Sequence, residues 1–132
     1  MITISIYQID KDKVSAYYND LYKNNYAYLR HKIDFKSDFD QYYTNVYTYE
    51  DDFGDVCEDD ILDAIYNKFS RNRPGRGEYM DISDVVVIDG AKYIRDIYGF
   101  QKIWDTKFGL LHSLRLKYAT LKIMALVKIC LA

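Results

Sequence analysis

The chain has 132 residues and a mass of 15.7 kDa, enough for one well-filled core and too little for two. With 49% hydrophobic and 29% charged residues it falls outside the disordered and membrane-embedded classes. Two cysteines exclude a disulfide scaffold and point to a reducing compartment.

The start of the chain has no basic-then-apolar leader pattern, so a cytoplasmic protein is expected. The most apolar stretch near the end, Ile123 to Val127, is too short to cross a bilayer. Fifteen Tyr, six Phe and one Trp raise the aromatic share to 17%. The net charge of −2 hides a division: residues 1–105 carry −7 and the last 27 residues carry +5. Eight acids and no base occupy 50–63, and Lys68, Arg71, Arg73 and Arg76 follow before the next acid, Glu78.

In chain order, Ile2, Ile4 and Ile6 alternate with Thr3, Ser5 and Tyr7, which predicts a strand over 2–9 with one buried face. Val14, Tyr17, Tyr18, Leu21, Tyr26 and Leu29 recur at helical spacing and predict one helix over 13–31. Residues 33–40 read as a loop. The Tyr, Thr and Val content of 41–50 predicts a second strand, with Tyr43, Tyr47 and Tyr49 on one face and Tyr42 on the other. A second helix follows. Glu58, Asp59 and Asp60 suit the positive end of its dipole, and Ile61, Leu62, Ile65, Tyr66 and Phe69 form its apolar stripe.

Pro74 with Gly75 and Gly77 ends that helix. Residues 84–88 are apolar on both faces and predict a central strand; Asp89-Gly90 predicts a hairpin returning over 92–98, and Gly99 a bend before a short strand ending at 103. Residues 107–132 combine strand-like alternation with helix-forming composition and are assigned to a C-terminal helix. The expected fold class is α+β: a mostly antiparallel sheet of about five strands, two helices and the C-terminal helix. The domain is expected to span 1–103. The basic, apolar segment 104–132 would pack on it or form a homodimer contact through 107–132.

No catalytic constellation is apparent, so a non-enzymatic protein is expected. His31, His112, Cys57 and Cys130 lie in no zinc spacing, and no nucleophile elbow or phosphate loop is present. No cofactor or metal is implied. An EF-hand starting at Asp51 would need an oxygen ligand at position 3, where Phe53 stands, and a Gly at position 6, whereas Gly54 falls at position 4. The basic run after the helix could hold a nucleic-acid strand, but the acids immediately before it would repel phosphates, so no direct nucleic-acid binding is expected. The acids read better as a binding face. Duplex DNA presents about one negative charge per 1.7 Å, and eight carboxylates in fourteen residues offer a comparable field to a basic groove. Tyrosines suit such contacts because they cover area at low entropic cost. The candidate partner-binding residues are Tyr47, Tyr49, Glu50, Asp51, Asp52, Asp55, Glu58, Asp59, Asp60 and Asp63.

Around the Pro, Phe69-Ser70-Arg71-Asn72-Arg73-Pro74, Gly77 and Met80-Asp81-Ile82-Ser83-Asp84-Val85-Val86-Val87-Ile88 are followed by Tyr93-Ile94-Arg95-Asp96-Ile97-Tyr98-Gly99-Phe100. This resembles the YodL-like domain family, whose members carry a Ser-Asp-Val-Val core, a short turn and a Phe-Gly-Phe ending. The likeness covers about residues 4–103, with Tyr79-Met80-Asp81 replacing the family's Ser-Leu-Ser.

The resemblance implies a non-enzymatic module of phages, integrative elements and Firmicutes hosts, with no catalytic residues to transfer. One expectation follows from it together with the charge pattern: a mobile-element inhibitor of a host defence nuclease, of anti-CRISPR type against a Cas9-like target. The alternative is a host-directed interaction protein acting on MreB-type cytoskeletal filaments or cell shape. Ser83 and Asp84 are expected to be structural, closing a loop through backbone N–H groups.

Overall fold

The computed structural model describes residues 1–104. Their elements run β1 (Ile2–Ile9), α1 (Tyr18–Leu21), α2 (Tyr26–Lys32), α3 (Phe39–Tyr42), β2 (Tyr43–Asp51), α4 (Glu58–Phe69), β3 (Val85–Ile88), β4 (Ala91–Asp96) and β5 (Gly99–Ile103). The strands form one antiparallel sheet in the order β2-β1-β3-β4-β5. Since β2 and β3 both run antiparallel to β1, they point the same way on either side of it. A hairpin cannot join such strands, and α4 supplies the crossover. The fold is thus α+β, with the expected five strands; the C-terminal helix assigned to 107–132 lies outside the described residues.

The sheet is buried on both faces. Under one lie α1 to α3 and their loops, with Val14, Leu21, Leu29, Ile33, Phe35, Phe39 and Tyr43 meeting Ile9, Val85 and Ile94. On the other lies α4, with Leu62, Ile65 and Phe69 meeting Ile4, Ile6, Val86 and Tyr93. β3 divides strictly, Val85 and Val87 to the first face and Val86 and Ile88 to the second, as a central strand must. β1 buries both faces too, contrary to expectation: Ile4 and Ile6 face α4, while Tyr7 and Ile9 face the other layer.

The predicted helix over 13–31 is two short helices. Lys23 takes φ +61°, outside the helical region, and Asn25 restarts the chain by accepting a hydrogen bond from the Tyr28 backbone N–H at 2.8 Å. The periodicity survives because both pieces bury the same stripe. The loop expected over 33–40 ends in α3, which lets Phe39 stack on Tyr43 with ring centroids 4.7 Å apart.

Strand β2 departs from its predicted facing for a definite reason. Ile6 pairs with Tyr47 and Tyr7 with Asn45, so Val46 is an extra residue, a bulge that flips the alternation. Tyr43 is therefore buried among α1–α3, whereas Tyr47 and Tyr49 face α4. The return strand ends at Asp96 rather than at 98, because Ile97 and Tyr98 form a two-residue turn closed by Gly99 at φ +85°. Asp89-Gly90 makes the predicted hairpin, both residues at positive φ.

Candidate functional site

The predicted acidic segment occupies three stretches: the end of β2, the loop 52–57 and the first half of α4. Asp51 is half-buried; Glu50, Asp52, Asp55, Glu58, Asp59, Asp60 and Asp63 are exposed. Local bonds shape the loop. Asp51 accepts from the Asp52 backbone N–H, Asp52 from that of Gly54, and Asp60 from the Cys57 thiol at 3.1 Å. None of the eight carboxylates forms an ion pair with a described Lys or Arg. Lys23 instead pairs with Asp81 at 3.3 Å and Arg73 with Glu78 at 3.5 Å. Lys68, the nearest base in sequence, lies over the Tyr49 ring at 5.0 Å.

The two candidate tyrosines divide between packing and surface. Their rings stack at 5.2 Å, and both meet Phe69 edge-on, at 5.9 Å for Tyr47 and 5.7 Å for Tyr49. Burial, reinforced by the charge of Asp51, pushes the Tyr49 hydroxyl up to about 12. Tyr49 is thus largely a core residue, while Tyr47 keeps 37% of its surface exposed. Both sit at the C-terminal end of α4. Glu58, Asp59 and Asp60 stand at its N-terminal end, so the helix separates them from the tyrosine pair.

Residues that the sequence reading did not single out join the acids there. A cleft of about 300 Å³ opens between α4 and the β4–β5 turn, lined by Asp59, Leu62, Asp63, Tyr98, Gly99 and Phe100. Tyr98 is 95% exposed, and Ile97 beside it 51%. Asp96 fixes the turn, accepting from the Ile97 backbone N–H at 2.9 Å and the Gln101 amide at 2.6 Å. Arg95, on the α4 side of β4, stacks on Tyr66 at 3.7 Å and stiffens the same corner. The adjacent Tyr-Gly pair was the available signal, hidden by reading the strand through Tyr98.

Ser83 and Asp84 behave as the loop-closing pair expected of them. Ser83 is buried at φ +85°; its hydroxyl accepts from the Lys23 backbone N–H at 3.2 Å, and its carbonyl accepts from the Tyr43 hydroxyl at 2.8 Å. Asp84 accepts from the Asp81 backbone N–H and the Gln8 amide, each at 3.0 Å. The pair thereby ties β1, β2, β3 and the segment after α1 into one polar knot.

Among the described residues, no three His, Cys, Asp or Glu side chains converge on a metal-sized site, and no helix is long and apolar enough to cross a membrane. His31 is exposed on α2; His112 and Cys130 lie outside the described residues. The class of protein defined here is a small α+β domain with a two-sided antiparallel sheet and an acidic surface around one helix N-terminus. No family model, curated protein or solved structure matches the chain.

Proposed function

We propose that this chain is a non-enzymatic binding protein that inhibits a nucleic-acid-handling enzyme by offering its basic groove an acidic surface in place of a polyanion. The sharpest form is a mobile-element inhibitor of a host defence nuclease of the Cas9 type, which holds nucleic acid in positively charged channels. The observation that carries the reading is the set of eight carboxylates at 50–63, seven of them exposed and none in an ion pair with a described Lys or Arg. The mobile-element setting rests on the resemblance of about residues 4–103 to YodL-like domains.

Each carboxylate acts in proportion to how little it is already compensated. Asp59 and Asp63 edge a cleft whose far wall is Tyr98 and Phe100. A partner arginine entering there would meet carboxylates on one side and an aromatic face on the other. Glu50, Asp51, Asp52 and Asp55 extend the field along the β2 end and speed encounter.

Reversing charge at Asp51, Asp52, Asp59 and Asp60 together is expected to slow association with the nuclease about a hundredfold at low salt. Stopped-flow binding and a cleavage-inhibition assay, with circular dichroism as the folding control, test this. Undiminished inhibition by the folded variant overturns the reading. Tyr98→Ala, at a residue 95% exposed, should leave stability within about 0.5 kcal/mol and mainly speed dissociation of the complex. A pull-down that recovered filament protein instead of nuclease would favour the cytoskeletal alternative.

A further inference from the structure

The arginine-rich loop after α4 is a built surface that the inhibitor reading does not use. Pro74 is fully buried, and Gly75 and Gly77 press onto the edge strand β2. Gly75 sits at φ +51°, where an added Cβ would collide with the Val46 carbonyl oxygen; one on Gly77 would lie 2.6 Å from the Gln8 side-chain oxygen. The Arg76 backbone N–H donates to the Val46 carbonyl at 3.3 Å and its guanidinium to that of Asn45 at 3.4 Å. Gln8 clamps the far end of the loop, donating to the Glu78 carbonyl at 2.8 Å and accepting from the Glu78 N–H at 2.9 Å.

Arg71, Arg73 and Arg76 all project from this frame exposed, with exposed Lys68 one turn back on α4. Two aromatic rings flank them. Tyr47, 37% exposed, abuts Gly75, and Tyr79, 49% exposed, lies under the Arg73 guanidinium at 5.3 Å. Glu78 offsets Arg73 through a surface ion pair of little net strength.

Acids and bases adjoin in sequence, and on that ground nucleic-acid binding was not expected. The fold separates them. The rise of α4 places Glu58, Asp59 and Asp60 about 15–18 Å from the loop that follows Phe69, and Asp63 about 10 Å from it and about 8 Å from Lys68. Glu50 and Asp51 lie four and five residues along β2 from Val46, about 13–17 Å away. The Debye length at physiological salt is about 8 Å, so Glu50, Asp51 and the acids at the α4 N-terminus are largely screened at the arginine loop, and Asp63 alone partly offsets Lys68.

We infer that the loop 71–79, with Lys68 and Tyr47, is a binding surface for single-stranded nucleic acid. Lys68, Arg71, Arg73 and Arg76 meet phosphates, and Tyr47 and Tyr79 offer ring faces to bases. A rigid frame carrying interleaved cations and aromatics suits a flexible, base-exposing strand, because little ordering cost falls on the protein. An acidic peptide would use the cations and leave the ring faces idle. The inference is independent of the nuclease-inhibitor reading.

Fluorescence anisotropy of the full chain with labelled oligothymidylate and oligouridylate, across a salt series, tests it. Four phosphate contacts predict a slope of log Kobs against log salt of about −3. Arg71→Ala/Arg73→Ala/Arg76→Ala should weaken binding at least about tenfold and flatten the slope to about −1. Tyr79→Ala should weaken it about tenfold with the slope unchanged. Circular dichroism melting confirms that the variants are folded. Three results overturn the assignment: no binding by the wild type at low salt, wild-type affinity and slope in the triple variant, or polyglutamate competing as well as the oligonucleotide. The second would place binding elsewhere on the chain, and the third would make the loop an acidic-protein site.

Discussion

Phe69→Ala is expected to destabilise the protein by about 3–5 kcal/mol, the range for an aromatic removed from a packed core. Phe69 is 3% exposed and closes the α4 side of the sheet, with the Tyr47 and Tyr49 rings edge-on against it. Its removal leaves a cavity under both candidate tyrosines and detaches the end of α4 from which the arginine loop springs. Phe69→Leu keeps most of the volume and should cost less than about 1.5 kcal/mol. Chemical denaturation followed by tyrosine fluorescence and far-ultraviolet circular dichroism measures both. A loss below about 1 kcal/mol for the alanine variant would mean that Phe69 does not anchor α4 to β2.

The second large effect is one of pH. Burial pushes the Asp84 carboxyl up from 3.8 to about 8, against the pull of the Asp81 N–H and the Gln8 amide, both of which favour the charged form. The unfolded chain releases this proton near 3.8 and the folded chain near 8, so between these values the folded state holds one proton more. The stability contributed by protonated Asp84 is complete below the lower value and is lost as pH rises through the upper one. The slope is at most about 1.4 kcal/mol per pH unit. Asp84→Asn is neutral throughout and retains an acceptor for both donors. It should therefore remove the slope, and denaturation midpoints at about pH 5 and pH 8 decide the matter. Equal pH dependence in wild type and variant would show that Asp84 is already ionised in the folded protein.

The elements that could be read from residues were those whose signal is local. The alternation in β1, the stripe of α4, the positive-φ hairpin at Asp89-Gly90 and the doubly apolar run of β3 each depend on neighbours a few positions away. The continuous helix over 13–31 failed because periodicity reports which side is buried, not whether the backbone is unbroken. The stripe from Val14 to Leu29 is real, yet Lys23 leaves the helical region between its halves. The single face assigned to Tyr43, Tyr47 and Tyr49 failed because one bulged residue, Val46, reverses every side chain beyond it, and only pairing with β1 creates the bulge.

The candidate site shows the same division. Its carboxylates were legible as charge in the sequence, whereas the cleft they share with Tyr98 and Phe100 was not, since those rings come from some forty residues further along the chain. The sequence by itself determined the α+β class, the central position of β3, the acid run and the arginine run, because composition, short-range periodicity and turn chemistry act through the local backbone. Only the tertiary structure decided which tyrosines are buried, which side chains join Asp59 and Asp63, and how far the acids stand from the bases. Those distances are set by strand pairing and by the path of α4 across the sheet, which the free energy of the whole core selects.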